Sequence, residues 1–371
     1  MKNTKTIAVN AVGVKDTFAG IGNLTFYTFN ELALLTPNKQ FHIYVSTRMQ
    51  DKFRFTALNI TIHQISLPFN SIIMRILWDQ LICPFISLKH GLFISMMNAA
   101  CILSQTKQIT FIYDLADICM PERFSKKKVI YLKVLRYFTI RVSKQIITIS
   151  DSTKRDFILH YPEFKELVKV IPLGCKKNIS HTQAEANKVE TLTDKDYFLF
   201  VSTIEPGKNI PRLLHAFEIF LRSHPTWNLI IIGSKSWGYP AVESTLRELK
   251  IDHAVQCLGY VSDQILEQLY KNASAFTFPS LYEGFGLPVL EAMQYYIPVL
   301  TSNVSSLPEV GGEGVVYCNP TDINDIAKGM EKLLTLKRSD YEEAYNKQLS
   351  YYTWENGAKT LKDIINTVLE K

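Results

Sequence analysis

Apolar, β-branched runs of strand length alternate with segments of helical spacing along almost the whole 371-residue chain. In the first half the strand signals fall at 6–12, 41–45, 92–95, 109–113, 146–149 and 168–172, and the helical patterns at 22–35, 126–142 and 151–160. A polar stretch without periodicity, 175–196, follows and reads as a linker. The alternation then begins again, with strands at 197–202, 227–232, 255–258, 275–278 and 299–301 and helices at 209–222, 240–249, 263–271, 287–294 and 322–335. Two further helical stretches, 339–349 and 354–370, close the chain. This grammar predicts an α/β protein of two doubly wound Rossmann-like domains, 1–174 and 197–352. The helix in 353–371 stands apart, and a return to the N-terminal domain is one expected berth for it.

Composition supports two cores, with 47% of residues hydrophobic and 20% charged. The six cysteines stand far apart with no C-x-x-C pair, which argues against a disulfide framework or zinc site and fits a reducing cytoplasm. Neither a signal peptide nor a run of about 18 apolar residues is evident, so a cytoplasmic protein is expected, at most peripheral at the inner face of the plasma membrane. The net charge of +6 hides a split: residues 1–175 hold 22 Lys+Arg against 11 Asp+Glu, and the rest 19 against 24. A basic half calls for an acidic partner, whether nucleic acid, anionic lipid or phosphorylated substrate.

The most informative segment runs from Phe278 to Met293. It predicts a buried strand, a turn carrying Glu283, Gly284 and Gly286, and a helix with Pro288 in its first turn, where a missing N–H costs nothing. Backbone N–H groups of Phe285, Gly286 and Leu287 then point from a helix N-terminus, where the dipole favours a diphosphate and the glycines let it approach. Glu283 precedes the helix and Glu291 lies one turn inside it. Two carboxylates beside a phosphate repel it, a cost offset only if each accepts hydrogen bonds from hydroxyl groups, which a sugar and a ribose supply. The other reading of these residues is a strand–helix turn with two solvated glutamates.

Glu283 and Glu291, separated by seven residues, resemble the signature of the family 4 retaining glycosyltransferases, whose GT-B fold has two Rossmann-like domains facing a central cleft. Val255 to Asp263, Ser302 to Gly311, Ile171 to Gly174 and Gly20 to Gly22 are similar to further segments of that family. The resemblance implies an acceptor-side N-terminal domain and a C-terminal domain that binds a nucleotide sugar. Glu283 would contact the donor sugar and Glu291 the ribose, with Gly284, Phe285, Gly286 and Leu287 at the diphosphate and Gly22 in the N-terminal glycine loop. It also implies metal-independent transfer with retention, the leaving phosphate taking the acceptor's proton. No cofactor is expected beyond a GDP- or UDP-linked donor, and the acceptor would be a glycan or lipid-linked glycan of surface polysaccharide or lipopolysaccharide synthesis.

Lys208 opens a helix after the first strand of the second half, where it can neutralise leaving phosphate charge. The helix dipole disfavours a lysine there, so a purely surface role fits it poorly. Gly207 stands where the family has an arginine, and one cation of the usual pair is missing. Tyr113 replaces the family's histidine, which reaches the donor sugar near its 6-position. A phenol cannot act as an imidazolium, which leaves a sugar altered at that position, a repositioned pocket or reduced activity as readings. Asp114 is a candidate catalytic residue at the cleft and could equally cap the residues after it. Tyr295 and Tyr296 replace a small Cys-Gly pair, without evident function.

Residues 125–144 hold seven basic side chains and no acidic one, alternating with apolar residues such as Val129, Ile130, Leu132, Val134, Leu135, Tyr137, Phe138 and Ile140, the composition of a helix on an anionic membrane surface. A core helix with a solvated basic face has the same composition. Nucleic-acid binding is not expected, because the charge gathers in this apolar-rich helix. Asp194 and Asp196 have D-x-D form but lie in the linker, the eight histidines lack ligand spacing, and no metal is expected. Two rival functions share the architecture: a nucleotide-sugar epimerase, and a degenerate subunit that binds donor or membrane without turnover.

Overall fold

The apolar strands of the two halves pair into two separate parallel sheets in the computed structural model, which describes residues 6–14, 20–47, 54–66, 72–175, 195–236 and 238–370. The first sheet comprises β1 (Thr6–Asn10), β2 (Gln40–Ser46), β3 (Ile60–Ile65), β4 (Leu92–Ser95), β5 (Gln108–Ile112), β6 (Gln145–Thr148) and β7 (Val168–Val170), in the order β3-β2-β1-β4-β5-β6-β7. The second comprises β8 (Tyr197–Val201), β9 (Asn228–Ile232), β10 (Val255–Gly259), β11 (Ala275–Phe278), β12 (Val299–Ser302) and β13 (Val316–Cys318), in the order β10-β9-β8-β11-β12-β13. The order reverses between β1 and β4 in one and between β8 and β11 in the other. Open α/β sheets leave a ligand crevice at the carboxyl ends of strands at such a point.

Strands β4, β5, β9, β11 and β12 are buried at every residue, as strands covered on both faces by helices must be, which is why they read as largely apolar runs without charged residues. Strand β3, Ile-Thr-Ile-His-Gln-Ile, lies at a sheet edge with no fully buried residue, and its polarity hid it from the apolar pattern. The short edge strand β13 and the helical segments between Ile72 and Ser87 also went unread. The linker expected at 175–196 lies outside the described residues except for Cys175, Lys195 and Asp196.

The chain divides into one unit of Met1–Gly174 with Tyr352–Lys371 and another of Cys175–Tyr351. Helix Trp354–Glu370 packs within the first unit along helix Ile21–Leu35, with the Trp354 ring stacked on Tyr27 at 5.3 Å. Gly357 lets it approach the chain at Pro172, since a Cβ there would stand 2.4 Å from the Pro172 carbonyl oxygen.

Helix Lys126–Val142 keeps few of its residues from solvent. Its buried residues are Arg136, Thr139 and Ile140. Arg136 forms a two-pronged ion pair with Asp117, one prong at 2.9 Å, and the Thr139 hydroxyl accepts from the Ala100 N–H at 3.1 Å. Ile130, Val134, Tyr137 and Phe138 point outward, 63%, 52%, 49% and 43% exposed. A core helix with a solvated basic face would bury those four residues; this one does not. Asp117→Ala would leave the Arg136 guanidinium buried without its carboxylate, at a cost of about 3–5 kcal/mol measurable by urea unfolding.

His42, His63 and His90 gather with Tyr44 around strands β2 and β3; His42 Nδ1 lies 2.9 Å from His63 Nε2 and the His42 and His90 rings 4.8 Å apart. Burial lowers the pKa of all three, and neighbouring positive charge adds to this at His42 and His90, bringing His90 down to about 4. The folded protein thus resists protonation that the unfolded chain accepts near pH 6.5. Stability is therefore expected to be full above pH 6.5 and to fall as pH drops from there toward about 4. Melting temperature measured across that window in wild type and in His90→Gln should show the decline, shallower in the variant.

Candidate active site

Lys208 and Glu283 come from the two loops at the reversal point of the second sheet, after β8 and after β11. Lys208 ends the single 3-10 turn Pro206–Lys208, and Asn209, in the left-handed region at φ +61°, starts helix Ile210–Leu221. Asn209 is buried and its amide donates to the carbonyls of Pro279 at 2.9 Å and Pro320 at 2.6 Å, while the Leu281 N–H donates to the Gly207 carbonyl at 2.9 Å. These bonds hold the two loops side by side. Lys208 Nζ then reaches Glu283 Oε1 at 2.6 Å, with the two side chains only 15% and 11% exposed.

The Glu283 backbone is held from the loop after β12. Its N–H donates to the Ser305 hydroxyl at 3.0 Å, and the Ser306 hydroxyl reaches the carbonyls of Glu283 and Phe285 at 3.0 and 2.7 Å. Gly286 caps helix Leu287–Gln294 at φ +105°, and Pro288 sits in the first turn. The backbone angle calls for glycine, and a Cβ on Gly286 would also lie 2.7 Å from Leu307 Cδ2 and push that side chain aside. Glu291 lies on that helix, where the Tyr270 hydroxyl donates to its Oε2 at 3.1 Å. Burial, then the charge of Glu291, raises the Tyr270 pKa well above its ordinary value, so the phenol keeps its proton and serves as a donor. The Tyr295 ring stacks on Tyr270 at 5.1 Å, within 2° of parallel, and so backs the ring that orients Glu291.

Residues 182–351 match the family model described as glycosyl transferases group 1. The O-antigen chain mannosyltransferase B of Escherichia coli is 30% identical over 259 residues, covering 67% of this chain and 68% of that protein. The chain belongs to the glycosyl transferases group 1 family. It is accordingly an enzyme of the hexosyltransferase type. The serotype-specific mannosyltransferase WbdA of Escherichia coli is 29% identical over 266 residues, and this match spans 31% of that longer protein. The fold matches that of Anabaena HepE, solved in complex with UDP and glucose, at a TM-score of 0.76 and 15% identity over 98% of this chain and 100% of that one. The shared fold is GT-B.

Within this group 1 glycosyltransferase, the candidates Gly284, Phe285, Gly286, Leu287 and Glu291 stand in one loop and helix beside the Lys208–Glu283 pair. Gly22, Tyr113 and Asp114 belong to the other unit. Gly22 is buried in the first turn of helix Ile21–Leu35 rather than in a loop, and Gly20 takes the helix-start position at φ +52°. The Tyr113 side chain is buried, and its hydroxyl donates to the Met96 carbonyl at 2.8 Å. Burial lifts its pKa well above the ordinary range, and the hydroxyl is committed to the domain interior. Asp114 accepts from the Ala116 N–H at 3.0 Å, in the turn just before the short helix Ala116–Cys119.

Asn209, Ser305, Ser306 and Tyr270 were not singled out from the sequence as site residues. An asparagine directly before a helix, where a left-handed residue is needed, is an available signal for the first; Ser305 and Ser306 lie in the family-like segment Ser302 to Gly311 and Tyr270 just after Val255 to Asp263, but nothing local shows which groups they hold. Among the described residues no group of three or more His, Cys, Asp or Glu side chains is placed to hold a metal ion. Tyr270→Phe keeps the ring stack and removes the hydrogen bond to Glu291. If Glu291 holds the donor, the KM for donor should rise about tenfold, the worth of one hydrogen bond to a charged group, with kcat nearly unchanged in steady-state kinetics.

Proposed function

We propose that this hexosyltransferase moves a mannosyl residue from a nucleoside diphosphate donor to a growing surface polysaccharide or its lipid-linked precursor, without a metal ion and with retention at the anomeric carbon. The observation that carries the donor site is the Lys208–Glu283 pair, little exposed, at the reversal point of a parallel sheet and beside the glycine-capped start of helix Leu287–Gln294. The mannosyl donor and polysaccharide product are supported by the mannosyltransferases and the O-antigen protein among the relatives.

In this reading the donor diphosphate lies at the start of helix Leu287–Gln294, and Lys208 turns from Glu283 to the phosphate. Glu283 is then released to accept hydrogen bonds from the sugar, and Glu291, steadied by Tyr270, accepts them from the ribose. As the bond from the anomeric carbon to the phosphate oxygen breaks, negative charge grows on that oxygen. Lys208 and the helix dipole stabilise it where little water screens them. The acceptor hydroxyl attacks the anomeric carbon from the face the phosphate leaves, and its proton passes to the departing phosphate oxygen. GDP and UDP are the two candidate leaving groups. The same reading sets the enzyme in the cytoplasm, with residues 125–144 meeting an anionic membrane where a lipid-linked acceptor resides.

Transfer of mannose from radiolabelled GDP-mannose to a lipid-extractable or polymeric product supports this reading, and transfer from UDP-glucose alone would overturn its mannosyl part. Glu283→Gln retains a hydrogen-bonding partner for Lys208 and should fold normally, but lower kcat/KM about a hundredfold. Lys208→Ala should lower it at least as much. Wild-type rates in either variant would remove these residues from the mechanism.

A further inference from the structure

An open furrow of about 240 Å³ runs on the first unit between helix Lys126–Val142 and the helical segment 72–87. Its apolar walls are Ile76, Ile102, Tyr131, Val134, Leu135 and Phe138. Two polar residues also line it, and both are engaged within the protein. Asp79 accepts from the Asn10 amide at 2.8 Å, while Gln80 accepts from the Ile102 N–H at 2.8 Å and donates to the Ala100 carbonyl at 3.1 Å. The furrow thus presents hydrocarbon in preference to hydrogen-bonding groups.

Both elements that wall the furrow also carry apolar side chains into solvent. Ile130, Val134, Tyr137 and Phe138 do so on one, and Leu81 and Phe85, 53% and 72% exposed, on the other. Exposed apolar residues at 130, 134, 137 and 138 follow helical spacing, so they form a single stripe. Lys127 and Lys128 lie four and three residues before Tyr131, one turn along the same face of the helix, and with Lys126 they are exposed. An apolar stripe turned outward, an apolar furrow beside it and a lysine cluster at one end match an anionic lipid, hydrocarbon chain and headgroup together.

We propose that this furrow takes a hydrocarbon chain of an anionic bilayer, with the headgroup phosphate on Lys126, Lys127 and Lys128, so that the first unit docks through both elements and not through the basic helix alone. This rests on the reading that the enzyme meets its acceptor at a membrane. The segment 72–87 is the part that neither charge nor composition of residues 125–144 would implicate.

Flotation of the full chain with phosphatidylglycerol or phosphatidylcholine vesicles tests the proposal, with circular dichroism and melting temperature of each variant as a check that the first unit, which carries every change, still folds. Wild type should float with phosphatidylglycerol vesicles and far less with phosphatidylcholine. Val134→Asp and Leu81→Asp should each weaken that binding about tenfold or more, as should the triple change of Lys126, Lys127 and Lys128 to Ser. If both aspartate variants bind like wild type while the lysine variant is lost, docking is electrostatic and the furrow proposal fails with the membrane reading intact. If wild type does not float with either vesicle, both fail.

Discussion

The ion pair between Lys208 and Glu283 is the contact on which the second unit's site depends. Two opposite charges 2.6 Å apart, each side chain less than one-sixth exposed, can persist only if the loops carrying them are held rigidly enough to make up for lost hydration. The structure supplies that rigidity with uncharged bonds. Asn209 ties the β8 loop to the β11 loop and to Pro320, Leu281 binds Gly207, and Ser305 and Ser306 fasten Glu283 from the β12 loop. Three strand ends are thus locked around one carboxylate. Because each charge already has a partner, the proposed donor's diphosphate would compete with Glu283 for Lys208, and that exchange would free the carboxylate for hydroxyl groups.

Around this pair, the replacement of small residues by Tyr295 and Tyr296 acquires a physical account. Tyr295 stacks on Tyr270, and Tyr270 donates to Glu291. Tyr296, at φ +52°, places its hydroxyl on Asn346, and its carbonyl accepts from Tyr341 at 3.0 Å, fastening the end of the Glu291 helix to the chain that follows. The added bulk braces the helix that carries Glu291.

Much of the fold was legible in the sequence because parallel strands covered on both faces are largely apolar, and because a glycine followed by a proline in the first turn marks a helix start. Strand β11 and helices Leu287–Gln294 and Lys126–Val142 fall where the pattern sets them. What escaped was governed by position in the sheet or by partners distant in sequence. The edge strand β3 lacks a second covered face and so lacks the signal. The orientation of Tyr113 depends on the Met96 carbonyl, 17 residues away, and the bracing of Glu291 on Tyr270, 21 residues away. The polarity of helix Lys126–Val142 turned on Asp117, whose ion pair draws Arg136 inward and leaves the apolar stripe outside.

The measurement closest to the central claim is thermal stabilisation by nucleoside diphosphates and their sugars, read in wild type, Glu291→Ala and Lys208→Ala. The account predicts that one nucleotide stabilises wild type, by about 2.7 kcal/mol at a hundred times its dissociation constant, and that each substitution removes most of that gain. No stabilisation by any nucleotide, or the same stabilisation in all three proteins, would contradict it.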